Sequence, residues 1–287
     1  DTDILNTPQF VTNHLNKQKE IVVQDLKNNL YLISNKGKVL WKKQLNGPVL
    51  GEISQIDMYK NGRLQLAFTT PNRVYVIDRK GRDVAPFPLK FNDNITKPLS
   101  VFDYDKNKKY RLLVTQGKNV LMYDARGKNV SGFTFKSAED TIISQPEHFR
   151  IGTKDYLVLK TKNKLYILDR VGKTRVSPKS KNMFSNEPVF LYQNKFTTTT
   201  DDGKLVSIDT RGNVSSVNLS LGSNHNLETT SKTRVTFHDN KLGIKSRILE
   251  LDYGNYTRPN IFYINDKIYV SITDLQSKKV YLYDSQG

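Results

Sequence analysis

At 287 residues and 37% hydrophobic content, the chain can bury one large all-β or α/β-barrel core, or two smaller ones. It has no cysteine, which removes disulfides, thiolate nucleophiles and Cys-based zinc or iron–sulfur sites, and no apolar run nears the roughly 20 residues of a membrane-spanning helix. Its charge, 45 Lys and Arg against 28 Asp and Glu for a formal +17, favours anionic partners but serves solubility equally well.

The chain opens DTDILN, without Met or a charged-apolar-small leader, and is expected to be a processed chain or a piece of a longer one. From there one motif recurs: LYLISNKGK (30–38), VYVIDRKGR (74–82), VLMYDARGK (120–128), LYILDRVGK (165–173), LVSIDTRGN (205–213), ILELDYGN (248–255) and VYLYDSQG (280–287). The copies end at Gly37, Gly81, Gly127, Gly172, Gly212, Gly254 and Gly287, at intervals of 44, 46, 45, 40, 42 and 33. Periods of about 40 to 50 residues mark four-stranded propeller blades.

Each copy reads as a strand, because β-branched residues, Leu and Tyr run for about four positions and then meet turn residues. Leu165 and Ile167 face one way, Tyr166 and Leu168 the other, so both faces are covered. Asp78, Asp124, Asp169 and Asp209 can each accept a backbone N–H two residues on, and Gly81, Gly127, Gly172 and Gly212 take the positive φ that closes the turn; these residues are structural. Ser34 is the short substitute, and Asp284 holds the same place in the last copy.

Two strands precede each copy and a more polar one follows. Second strands are IVV (21–23), LQLAF (64–68), RLLV (111–114), YLVL (156–159) and IYVSI (268–272). First strands are FVTN (10–13), ISQIDM (53–58), LSVF (99–102), HFRI (148–151), VFLY (189–192), VTF (235–237) and IFYI (261–264). VLWKKQL and NVSGFTF are fourth strands, and none of the ten prolines falls in a second or third strand, where a ladder needs every N–H.

The expected fold is all-β: a single β-propeller of about seven four-stranded antiparallel blades, with six or eight as the fallback. Its blades are 1–46, 47–91, 92–138, 139–182, 183–221, 222–257 and 258–287, the last without its outer strand. That strand comes from chain beyond Gly287, or the segment from Asp1 to Thr7 stands in for it.

In YLISNKGKVLWKKQL (31–45), Gly37 and Trp41 keep a Gly-x-x-x-Trp spacing at the strand–turn–strand junction. On these residues the copies resemble the PQQ-like β-propeller repeat family. The chain departs from its quinoprotein dehydrogenases in having one Trp, turns a residue shorter than D-x-x-T-G, and no adjacent Cys pair. The resemblance is therefore to the non-enzymatic branch, with its bacterial envelope propellers such as the outer-membrane assembly lipoprotein. It implies a protein-interaction scaffold, periplasmic or cell-surface, inside a larger protein or complex, with protein partners and no cofactor.

Other chemistry is weighed against that. Asp103, Asp105 and Asn107 have the alternation of a calcium loop, but no Gly stands sixth, Val114 replaces the bidentate Glu, and Lys106, Lys108 and Lys109 repel a cation; a solvated hairpin is the better reading. His14, His148, His225 and His238 lack zinc spacing and read as structural, although His148 and His238 are placed in first strands, where a channel ligand is conceivable. No catalytic residue stands out.

The densest charge is in the fourth repeat: Lys160, Lys162, Lys164, Arg170, Lys173, Arg175, Lys179 and Lys181. Gathered on one face and edge, they would bind an acidic glycan, a lipid headgroup or nucleic acid, which is the second reading. Nucleic acid is disfavoured because the tyrosines sit at core positions. A third reading, a quinone- or metal-dependent enzyme, needs ligands the motifs do not supply.

Overall fold

A computed structural model describes residues 3–285, so Gly287, the turn glycine of the last copy, and Asp1 and Thr2 of the N-terminal segment lie outside the described residues. The chain divides into two compact units, Asp1–His148 with Arg170–Lys173, and Phe149–Asp169 with Thr174–Gly287.

The first unit carries three sheets. They are β1 (Gln9–Thr12), β2 (Lys19–Gln24), β3 (Asn29–Ile33) and β4 (Val39–Gln44); β5 (Ser54–Ile56), β6 (Gln65–Thr70), β7 (Arg73–Ile77) and β8 (Leu89–Lys90); and β9 (Ser100–Phe102), β10 (Arg111–Gln116) and β11 (Asn119–Asp124). Four more follow, almost wholly in the second unit. The fourth and fifth are β12 (Glu147–Ile151), β13 (Lys154–Lys160), β14 (Leu165–Leu168) and β15 (Thr174–Val176), then β16 (Phe190–Tyr192), β17 (Lys195–Thr199), β18 (Lys204–Ile208) and β19 (Val214–Asn218). The sixth and seventh are β20 (Asn226–Thr229), β21 (Arg234–His238), β22 (Lys241–Ile244) and β23 (Arg247–Glu250), then β24 (Asn260–Ile264), β25 (Lys267–Asp274) and β26 (Lys279–Asp284). All seven are antiparallel meanders in chain order, and they are the blades of a β-propeller.

The strand interiors show why. Every residue of β6 (QLAFTT) is buried and four of five in β7 (RVYVI), so the middle strands are covered on both faces. Phe68, Val74, Leu112, Leu157 and Ile167 are sealed, and each such side chain contributes roughly 1.5–3 kcal/mol. Outer strands are polar because one edge meets water, as in β19 (VSSVN). The third sheet has no regular fourth strand; NVSGFTF contributes only a Tyr123–Asn129 bridge, with Asn119–Ser137 beyond it.

The recurring turn has one geometry. Asp78 Oδ1 accepts the N–H of Lys80 at 2.8 Å and of Arg82 at 3.0 Å, and Gly81 N–H donates to Asp78 O at 2.9 Å. Asp124 and Asp209 repeat this pattern, and Ser34 Oγ accepts from Lys38 N–H at 3.1 Å. Gly37, Gly81, Gly127, Gly172 and Gly212 all have φ between 73° and 82°.

Beyond closing the turn, four of these glycines are seats for the preceding repeat. A Cβ on Gly81 would lie 2.9 Å from the Trp41 ring, whose Nε1–H donates to Arg79 O at 2.7 Å. Pro86 meets Gly127, Phe135 meets Gly172 and the Ser177 carbonyl meets Gly212 in the same way.

The sixth blade corrects the sequence reading by one strand. VTF (235–237) lies in β21, the second strand, so His238 ends a second strand and not a first; ILE (248–250) lies in β23, the fourth. The third strand is β22 (KLGI), which turns through only Lys245, at φ 57°, and Ser246. LDYGN imitates the repeat past the end of the sheet, where Gly254 packs on the Asp274 carboxylate.

Candidate functional site

Of the fourth-repeat cations, Arg170 and Lys173 belong to the first unit and Lys160, Lys162, Lys164, Arg175, Lys179 and Lys181 to the second. Lys160 is corrected first: its side chain is fully buried, and its ammonium donates to Glu187 O and, at 3.0 Å, to Thr198 Oγ1. It joins strands and faces no solvent. Lys160→Ala, which deletes these bonds and leaves a cavity, is expected to cost about 2 kcal/mol in urea unfolding.

Lys162, in the β13–β14 hairpin, pairs with Asp201, and Lys164 covers the Tyr166 ring at 4.9 Å. Arg170 and Lys173 follow β14 in the chain. Arg175 lies over Tyr156 at 5.5 Å, Lys179 Nζ donates to Asn213 Oδ1 at 2.7 Å, and Lys173 and Lys181 are exposed.

In the second unit the best-connected charge was not foreseen. Glu187 Oε2 accepts from Leu227 N–H at 2.7 Å and Arg258 Nη2 at 2.5 Å, Oε1 accepts from Arg258 Nη1 at 3.1 Å, and Arg258 Nε reaches Glu228. These bonds tie the loop before β16 to β20 and to the loop before β24. Glu187→Gln, which keeps the shape and loses the charge, is expected to cost about 1–2 kcal/mol, read by urea unfolding.

The supposed calcium loop belongs to the first unit and is half of a matched pair. Asp103 Oδ1 and Oδ2 accept from the N–H groups of Asn107 and Lys108 at 3.0 and 2.9 Å, and Asp57 accepts from Asn61 and Gly62 at 3.0 and 2.8 Å in the same trace. Lys108 Nζ donates to Asp57 Oδ2 at 2.5 Å. Burial alone would raise the Asp57 carboxyl; this ammonium and the two amides outweigh it and hold it below the usual range. Asn107 Oδ1 accepts from Lys109 N–H at 3.1 Å, while Asp105 faces Arg170, so each of the three nominated residues serves partners of its own. Among the described residues, no three His, Asp or Glu are grouped to hold a metal.

Asp105 and Arg170, 65 residues apart, bring the two nominated segments together. Arg170 Nη1 and Nη2 donate to the carboxylate at 3.0 and 2.5 Å, and the guanidinium lies over the Tyr104 ring at 4.9 Å. Tyr104 in turn meets Phe102 and His148, with ring centroids at 6.0 and 5.0 Å. The result is a notch of about 250 Å³, whose lining includes Lys109, Arg111 and Arg170 with the apolar wall of Val130, Phe133 and Val171.

The other histidines are hydrogen-bonded within the fold. His225 is buried between Thr199 Oγ1 at 2.5 Å and Gly222 O at 2.7 Å; His14 Nδ1 accepts from Leu64 N–H at 3.2 Å, and His238 Nδ1 from Gly222 N–H at 3.1 Å. Burial, then Arg79, lowers the pKa of His14.

Solved structures share this fold. BBS1N in complex with ARL6DN, soaked with mercury, matches with a TM-score of 0.65 at 10% identity over 98% of this chain and 92% of that one. The lead-soaked complex gives 0.61 at 11% identity with the same coverage. BamB from Moraxella catarrhalis gives 0.59 at 14% identity over 93% of this chain and 79% of its own. No family model and no curated protein matches the sequence. At these identities the likeness is one of fold, and the shared fold is the β-propeller.

Proposed function

We propose that the chain is a non-enzymatic protein-interaction scaffold of a bacterial cell envelope, periplasmic or cell-surface, acting within a larger protein or complex. One observation carries the reading. The side chains with chemical potential are committed to architecture: Asp57, Asp78, Asp103, Asp124 and Asp209 close turns, and His14, His225 and His238 bond to backbone or strand hydroxyls. A rigid repeat of this kind offers loops and edges as contact surface. The structural neighbours support the same reading, one being solved in complex with another protein and one being a bacterial propeller. Lys109 and Arg111 in the notch, which have no carboxylate partner among the described residues, favour an anionic contact within it.

Fractionation of the source cells, followed by crosslinking and affinity capture on the tagged native protein, tests this. The expected result is an envelope fraction and a stoichiometric protein partner. A cytosolic location removes the envelope placement, and capture without any stoichiometric partner removes the scaffold.

A further inference from the structure

We infer that the notch around Arg170 is a docking site for an acidic, apolar-flanked segment of a partner protein. The inference deepens the scaffold reading and names its partner's chemistry. Asp105 neutralises Arg170, and Tyr104 beneath keeps the guanidinium flat, so this corner is fixed before anything binds. Lys109 and Arg111 have no carboxylate partner among the described residues. Arg111, half-buried at the start of β10, uses one side-chain donor internally, on Tyr110 O at 3.2 Å. Three cations and one carboxylate leave the notch at about +2, in a concave site where opposite charge is favoured.

Part of the lining is apolar. Val171 is 44% exposed, Phe133 is buried, and at Gly132 a Cβ would meet nothing within 4 Å, so a ligand's main chain can approach. A volume of about 250 Å³ equals roughly eight waters at ~30 Å³ each, which fits a carboxylate side chain and part of its neighbour. An acidic residue beside a Leu, Ile, Val or Phe satisfies both parts of the lining. Nucleic acid would need an open aromatic face for stacking, and the face of Tyr104 is already covered by Arg170.

Selection of a random peptide-display library on the whole chain tests the assignment, with fluorescence anisotropy of the recovered peptides. The expected peptides place Asp or Glu next to a large apolar residue and bind less tightly as salt rises. The double variant Lys109→Gln, Arg111→Gln should weaken them by about tenfold or more, and Lys36→Gln, Lys38→Gln in a distant turn should not. Lys109→Gln alone, at an exposed side chain whose backbone N–H bond to Asn107 the change leaves in place, should cost about threefold, so a poorly folding double variant leaves the site testable. Recovery without acidic bias, or no loss on Lys109→Gln, overturns the site. Notch-dependent binding of phosphatidylglycerol vesicles in place of the peptides makes the occupant a membrane and also overturns it. A captured envelope partner that ignores the double variant sinks the notch and leaves the scaffold standing; acidic-peptide binding without any cellular partner does the reverse.

Discussion

Gly212→Ala is expected to cost about 3 kcal/mol, whereas Gly37→Ala, at the same turn position, should cost about 1. The two glycines have φ of 82° and 78°, so an alanine suffers the same left-handed strain at either place, roughly 1–2 kcal/mol. The difference lies in what stands beyond. At Gly37 nothing lies within 4 Å of the new methyl, but at Gly212 it falls 2.3 Å from Ser177 O. That carbonyl is backbone and cannot rotate away, and Lys179 N–H, bonded to Gly212 O at 2.9 Å, holds the segment in place. Overpacking of this kind adds roughly 1–3 kcal/mol. Gly81→Ala should lie between, because its obstacle is the Trp41 ring, a side chain that can shift. Urea unfolding of the three variants ranks them, and equal costs at Gly37 and Gly212 would refute the inter-repeat joint.

That contrast also shows how far the residues speak for themselves. The Asp-to-Gly turn is local chemistry, so its geometry is readable from six or seven consecutive residues, and the period of the copies carries the blade count. What seats on each glycine is about 40 residues away, and only the Trp41 spacing hinted at it. The sixth blade misled because KLGI turns through Lys245 without Asp or Gly, while LDYGN beyond it copies the motif by composition alone. Lys160 looked like the first of a solvated basic run; its burial depends on Glu187 O, 27 residues on, which no local pattern encodes. Asp105 and Arg170 were both singled out, for different chemistries, and only the fold makes them one site.

Glu147→Gln is expected to stabilise the protein above neutral pH and to be nearly neutral in acid. Glu147 opens β12, directly after Pro146, whose carbonyl accepts from buried Ser100 Oγ at 2.6 Å. Burial, and then the negative charge of Glu52, push its carboxyl from 4.5 to about 7. The folded state therefore holds a proton that the unfolded chain releases near pH 4.5, and stability falls as pH rises between the two values. Below the lower value both states are protonated and the group contributes no penalty; above about 7 the penalty is complete and constant. At about 1.4 kcal/mol per pH unit the full effect is up to about 3.5 kcal/mol, an upper bound because the side chain is half-buried rather than sealed. The amide cannot ionise, so the difference in unfolding free energy between variant and wild type should open from near zero at about pH 4 and level off above about pH 7. Glu52→Gln should shift that curve toward lower pH without abolishing it, since burial is the larger cause. A difference that is flat with pH would show that the Glu147 carboxyl is solvated, and a shift equal to the whole effect in Glu52→Gln would show that charge repulsion, not desolvation, sets it.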